Sequence, residues 1–175
     1  MIFTETPLAG AFVIDLEPHA DERGFFARTY CRREFEDHGV NPNVVQCNTS
    51  FNHKRGTLRG LHYQKSPSRE AKLVRCVRGS IYDVIVDLRE ESPTYSRHFG
   101  INLTADNYRA LYIPESFAHG FQTLEDESEI EYQMSEYYAP GSAAGYRYDD
   151  PKLAINWPLQ VSVISAPDLS WPAFS

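Results

Sequence analysis

The sequence lacks several things that would have set its class quickly. It has three cysteines, Cys31, Cys47 and Cys76, an odd number without metal-like spacing. They read as reduced thiols of a cytoplasmic protein rather than a disulfide framework. It has no apolar run near the roughly 18 residues of a membrane span. The opening MIFTETPLAGAF carries neither the basic stretch nor the apolar core of a signal peptide. Positive charge is short: 17 Lys and Arg against 24 Asp and Glu leave a net charge of −7. Global charge therefore gives no support to nucleic-acid or membrane binding, and an anionic ligand must be caught by locally clustered arginines. There is no repeat, no low-complexity tract and no linker. Nor is there a His-x-His pair followed by Glu among the six histidines, which weakens a metal-site reading without removing it, since ligands can come from distant strands.

What is present is aromatic and strand-like. Eleven Tyr and ten Phe favour β structure and suit a pocket that stacks rings. Most segments alternate with period two. VVQCNTSFN sets Gln46, Asn48, Ser50 and Asn52 against Val45, Cys47, Thr49 and Phe51. KLVRCV groups Lys72, Val74 and Cys76, and IYDVIVDL groups Ile81, Asp83, Ile85 and Asp87. Turn signals interrupt often, as at SPT (92–94), APGS (139–142) and DDP (149–151). Only CRREFEDHGV (31–40) reads as helix, with Gly39 as its stop. Its 175 residues are enough for one domain with a sizeable core, residues 1–175. Many short strands with one or two short helices predict an all-β sandwich or barrel. The aromatic tail SAPDLSWPAFS is expected to pack onto the body.

Candidate chemistry concentrates in few places. TLRGLHYQK (57–65) brings Arg59, His62 and Lys65 close in sequence. Residues three apart on a regular strand face opposite sides, so a bend at Gly60 is needed to turn Arg59 and His62 to one pocket. His62 reads as base, metal ligand or core histidine. His119 precedes Gly120, where backbones can approach closely. Tyr132 lies mid-strand and Asp168 reads as a turn residue; singly, each has an ordinary structural explanation. The polar face Gln46–Asn52 is either solvated or lines a cavity.

Taken together, DERGFFARTY (21–30), QCNTSFNHKRGTLRGLHYQ (46–64), KLVRCVRGSIYDVIVDLREESPTY (72–95), IPESFAHGF (113–121), EIEYQMSEYYAP (129–140) and ISAPD (164–168) resemble, in order, the dTDP-4-dehydrorhamnose 3,5-epimerase family. The resemblance covers essentially the whole chain. It implies a cupin-type jelly-roll, a homodimer exchanging N-terminal strands, and no metal or redox cofactor. The implied substrate is a nucleoside diphosphate 4-keto-6-deoxyhexose, epimerised at C3 and C5, or at C3 only, through an enolate. His62 matches the base, Asp168 its carboxylate partner, Tyr132 the acid on the opposite ring face, and Lys72 the group that stabilises the enolate. A phenol is a poor acid at neutral pH, so a nearby cation should help Tyr132 lose its proton. His119 matches a second pocket histidine. Arg23 and Arg59 match diphosphate ligands, Gln46 and Asn48 nucleotide contacts, and Tyr138 the aromatic that stacks on the base.

Three positions depart from the family pattern: Arg28 and Ala143 replace Glu, and Pro167 replaces Lys. A carboxylate only accepts hydrogen bonds and a guanidinium only donates. If Arg28 reaches the base, it favours cytosine over thymine, making a CDP-linked sugar the alternative to a dTDP-linked one. A non-catalytic sugar-nucleotide-binding cupin and a metal-dependent cupin remain the competing classes.

Overall fold

The computed structural model describes residues 1–174. In chain order the strands are β1 (Ile2–Glu5), β2 (Phe12–Asp15), β3 (His19–Asp21), β4 (Gly24–Phe26), β5 (Gln46–Asn52), β6 (Thr57–Gln64), β7 (Lys72–Arg78), β8 (Ser80–Asp87), β9 (His98–Thr104), β10 (Ala110–Ile113), β11 (Phe117–Thr123), β12 (Ser128–Met134), β13 (Ala143–Gly145) and β14 (Val163–Ile164). The helices are α1 (Arg32–Asp37) and α2 (Ala166–Leu169).

Two sheets face each other. One runs β1-β2-β10-β7-β12-β5, the other β13-β6-β11-β8-β9, with β14 added in parallel to β6. The remaining ladders are antiparallel, and β3–β4 form a separate hairpin. This is the all-β sandwich the alternation predicts.

Inward-facing residues of both sheets meet in one core: Val74 and Cys76 from β7, Leu111 and Ile113 from β10, Ile130 from β12, and Ile81, Ile85, Leu103, Phe117 and Phe121 from the facing sheet. Each large apolar side chain buried this way contributes about 1.5–3 kcal/mol. The outer faces are covered differently. On one, the α1 residue Phe35 packs with Ile14, Val40, Leu73 and Tyr112. On the other, the tail brings Leu153 and Phe174 against Leu61, Val86 and Ala118, so β8 is buried on both faces and the tail packs onto the body. α1 is shorter than the stretch the sequence suggests; Gly39 closes it at φ +67°, where its N–H bonds the Glu36 carbonyl. Among the described residues no helix is long and apolar enough to cross a membrane.

Candidate active site

The core stops short of one end of the sandwich, where the sheets enclose a cavity of about 310 Å³ with Phe121 at its floor. From one sheet come Asn48 and Ser50 (β5), Lys72 (β7) and Tyr132 (β12); from the other, Arg59 and His62 (β6) and His119 (β11). A second cavity of about 470 Å³ shares Asn48, His62 and Met134 with it and adds Gln46, Tyr138, Ala143, Pro167, Asp168 and Trp171.

The β6 backbone explains how Arg59 and His62 both face inward. Opposite β11, His119 pairs with His62 and Phe121 with Arg59, so three steps on β6 match two on β11. This bulge takes up the extra residue. Gly60 sits there at φ +127°, and a Cβ on it would lie 2.5 Å from Gly120 Cα and 2.9 Å from the His119 carbonyl. A Cβ on Gly120 would lie 2.7 Å from the Arg59 carbonyl. Two glycines face to face are what that close approach requires.

His62 Nε2 lies 2.5 Å from Asp168 Oδ1. Asp168 is itself buried, on the single turn α2, whose N-terminus is capped by Ser165 accepting from the Asp168 N–H at 3.2 Å. Burial alone would raise the carboxyl's pKa. The hydrogen bond and charge of His62, with N–H donation from Gly60, outweigh it and hold the group below its ordinary range. An ionised carboxylate only accepts, so Nε2 carries the proton and Nδ1 is the nitrogen left to take one up.

Tyr132 is on the facing sheet. Burial, then the Asp83 carboxylate, push its phenol well above its ordinary value; the Ser50 hydrogen bond and the Arg59 charge act oppositely and are outweighed. The sequence expectation that a nearby cation eases proton loss from Tyr132 is thus corrected: the cation is present, but desolvation is the larger effect. The group stays protonated at neutral pH.

Three further side chains are held by partners that sequence reasoning passed over. Lys72 Nζ pairs with buried Glu70 at 3.1 Å and donates to the His62 carbonyl at 3.3 Å. His119 Nε2 lies 2.7 Å from Asp83 Oδ1, both buried. Arg59 Nε donates to Asn52 at 2.7 Å. Asp83 did carry a signal, as one of two carboxylates, with Asp87, alternating with Ile81 and Ile85 on one strand face. On β5, Asn48, Thr49 and Ser50 line the cavity and Asn52 is buried, while Cys47 and Phe51 are exposed, which resolves that strand in favour of the cavity. Gln46 donates to Asn48 at 3.0 Å and accepts from the Tyr138 N–H at 3.2 Å.

Two predicted residues are not at the chain's own cavity. Arg23 is on the β3–β4 hairpin, 84% exposed and paired with Asp21 at 2.5 Å. Arg28 donates to Glu34 at 2.6 Å beside a separate cleft lined by Met1, Glu17, His19 and Phe26. Neither side chain lines the two adjoining cavities of its own chain. Among the described residues no three His, Cys, Asp or Glu side chains cluster as a metal site would require.

A carbon held between an imidazole on one sheet and a protonated phenol on the other can lose a proton from one face and regain one on the opposite face. The class is that of the cupin-type β-sandwich isomerases, the epimerases. The family model for dTDP-4-dehydrorhamnose 3,5-epimerase matches residues 5–175. The chain belongs to the dTDP-4-dehydrorhamnose 3,5-epimerase family. It is 43% identical to the dTDP-4-dehydrorhamnose 3,5-epimerase of Methanothermobacter thermautotrophicus over 97% of this chain and 92% of that one. It superposes with TM-score 0.95 on the Bacillus anthracis dTDP-4-dehydrorhamnose 3,5-epimerase with TDP and PPi bound, at 40% identity over 99% of both chains. The Legionella pneumophila dTDP-6-deoxy-D-glucose-3,5-epimerase, in complex with dTDP-4-keto-L-rhamnose, gives TM-score 0.91 and 37% identity over 98% of this chain and 92% of that one.

Proposed function

We propose that this chain epimerises C3 and C5 of a dTDP-linked 4-keto-6-deoxyhexose in deoxysugar biosynthesis. The observation that carries the reading is that His62 and Tyr132 hang from opposite sheets into one cavity. The C4 ketone makes the protons at C3 and C5 removable if the resulting enolate is stabilised. His62, oriented by Asp168, takes the proton. Lys72 lies in the same cavity and supplies positive charge to the oxygen at C4. Tyr132 returns a proton on the far face, and His119, braced by Asp83, is a second donor near the ring. No cofactor is needed for this chemistry.

Arg59 takes the diphosphate, where a guanidinium fork suits phosphate oxygens. Gln46, Asn48 and Tyr138, which line the adjoining cavity, take the nucleoside. Arg23 completes the diphosphate site only from a second copy, in a homodimer that exchanges N-terminal strands. The choice of dTDP over CDP follows the dTDP-linked ligand of the Legionella relative; Arg28, paired with Glu34 outside the nucleoside cavity of its own chain, would read the base only from a second copy. The three cysteines are unpaired, which fits a reducing cytoplasm.

Incubation with dTDP- and CDP-linked 4-keto-6-deoxyglucose in deuterated water, followed by NMR, tests all of this. Deuterium is expected at both C3 and C5 of the dTDP sugar. Deuterium at C3 alone makes the enzyme a 3-epimerase, preference for the CDP sugar reverses the nucleotide assignment, and no incorporation into either leaves a binding protein.

A further inference from the structure

The tail residue Trp171 is the one aromatic at the dyad that the mechanism does not use. Its indole Nε1–H donates to Asp168 Oδ1 at 3.3 Å, onto the same oxygen that His62 holds at 2.5 Å. Its ring meets the imidazole edge-on, centroids 6.2 Å apart at 67°. It also walls the nucleoside cavity.

The surrounding chain is shaped to seat it. A Cβ on Gly145 of β13 would lie 2.6 Å from the indole ring, so no other residue leaves room for Trp171 there. The tail beyond is tied at two points: the Arg147 N–H donates to the Pro172 carbonyl at 3.1 Å, and the Phe174 N–H to Asp150 Oδ2 at 2.8 Å. Phe174 is buried beside Leu153. A short strap thus holds the indole over the dyad. Asp168 Oδ2 faces the Gly60 N–H at 3.4 Å, so the carboxylate is approached by donors on both oxygens.

We propose that Trp171 is a positioning residue for the His62–Asp168 pair, acting through the carboxylate. The indole N–H fixes the rotation of the Asp168 carboxylate and shares Oδ1 with the imidazole, so Nδ1 is presented to the sugar in one orientation. Two donors on one oxygen compete, and removing one strengthens the other. The inference rests on the epimerase reading for its kinetics, but its structural half needs no substrate.

The test therefore has two arms. In the substrate-free protein, Trp171→Phe should move the downfield imidazole N–H proton of His62 further downfield, as Oδ1 loses its second donor. In turnover of the dTDP sugar, Trp171→Phe keeps the ring and removes the N–H, so kcat should fall about three- to tenfold while KM changes less than about twofold. Asp168→Ala and Asp168→Ala/Trp171→Phe should then have nearly equal kcat, because the indole acts only through that side chain's oxygens. An unchanged imidazole resonance, or losses that multiply in the double variant, overturns the proposal. If Trp171→Phe does not fold, the indole N–H resonances of Trp171 and Trp157 are compared between the native protein and Asp168→Asn. Only that of Trp171 should shift, and no shift overturns the proposal. Failure of the native protein to turn over any 4-keto sugar, with the resonance shifts intact, counts against the epimerase reading alone.

Discussion

At the scale of single residues, His62 and Tyr132 are separable by what each can still do alone. His62→Ala removes the group that takes the proton, so deuterium exchange alpha to the ketone should be abolished. Tyr132→Phe leaves that step intact and removes the donor on the far face, so exchange should continue while net inversion slows by about 10²- to 10⁴-fold. Both are read by NMR in deuterated water; near-normal exchange in His62→Ala would refute the base assignment. His62, Asp168, Tyr132, Lys72 and His119 were legible as a set only because their segments match the family's in order. The pairings that hold them, through Glu70, Asp83, Asn52 and Trp171, were not. Which carboxylate meets Lys72 at 3.1 Å is set by how β7 emerges from the preceding turn, and no periodicity records it. The direction of the Tyr132 shift was also hidden, because desolvation depends on what the facing sheet covers.

At the scale of elements, the β6–β11 bulge is what joins phosphate binding to proton removal. Gly60→Ala should cost about 2–4 kcal/mol, since the added methyl meets backbone on β11 at a positive φ. Urea midpoints measure it, and a loss under about 1 kcal/mol would mean the bulge relaxes freely. The need for a bend at Gly60 was readable from the three-residue spacing; its depth against Gly120 was not. A second element is the turn after β8. Asp87, fully buried, accepts from Arg89 Nε at 2.8 Å, Ser92 at 2.6 Å and Thr94 at 2.7 Å. Burial opposes its ionisation, but these donors outweigh it and draw its pKa down to about 2. A carboxyl depressed on folding contributes stability that is complete above its unfolded value and is lost as pH falls through the folded one. The window here runs from about 4 down to about 2, and the contribution is about 2 kcal/mol. Asp87→Asn should flatten that part of the stability–pH curve; an unchanged curve assigns the acid sensitivity elsewhere.

At the scale of the whole molecule, the sandwich was legible from alternation and turn spacing, whereas a homodimer exchanging N-terminal strands was implied only by the family resemblance. Arg23 is 84% exposed on a hairpin whose Phe25 and Phe26 are also exposed, outside the cavity of its own chain. An arginine that binds diphosphate cannot do so from there unless it enters the cavity of a second copy. Complementation distinguishes the two cases. Arg23→Ala and His62→Ala are each expected to be severely impaired as homodimers. Co-expressed in equal amounts, half of the dimers are hybrids, and each hybrid has one cavity carrying both defects and one carrying neither. About a quarter of the native activity should therefore return. If Arg23 serves its own chain's cavity, every cavity in the mixture retains a defect and nothing returns. Sedimentation velocity fixes the premise: a monomer at assay concentration rules out exchange, and Arg23 then loses its place in the site.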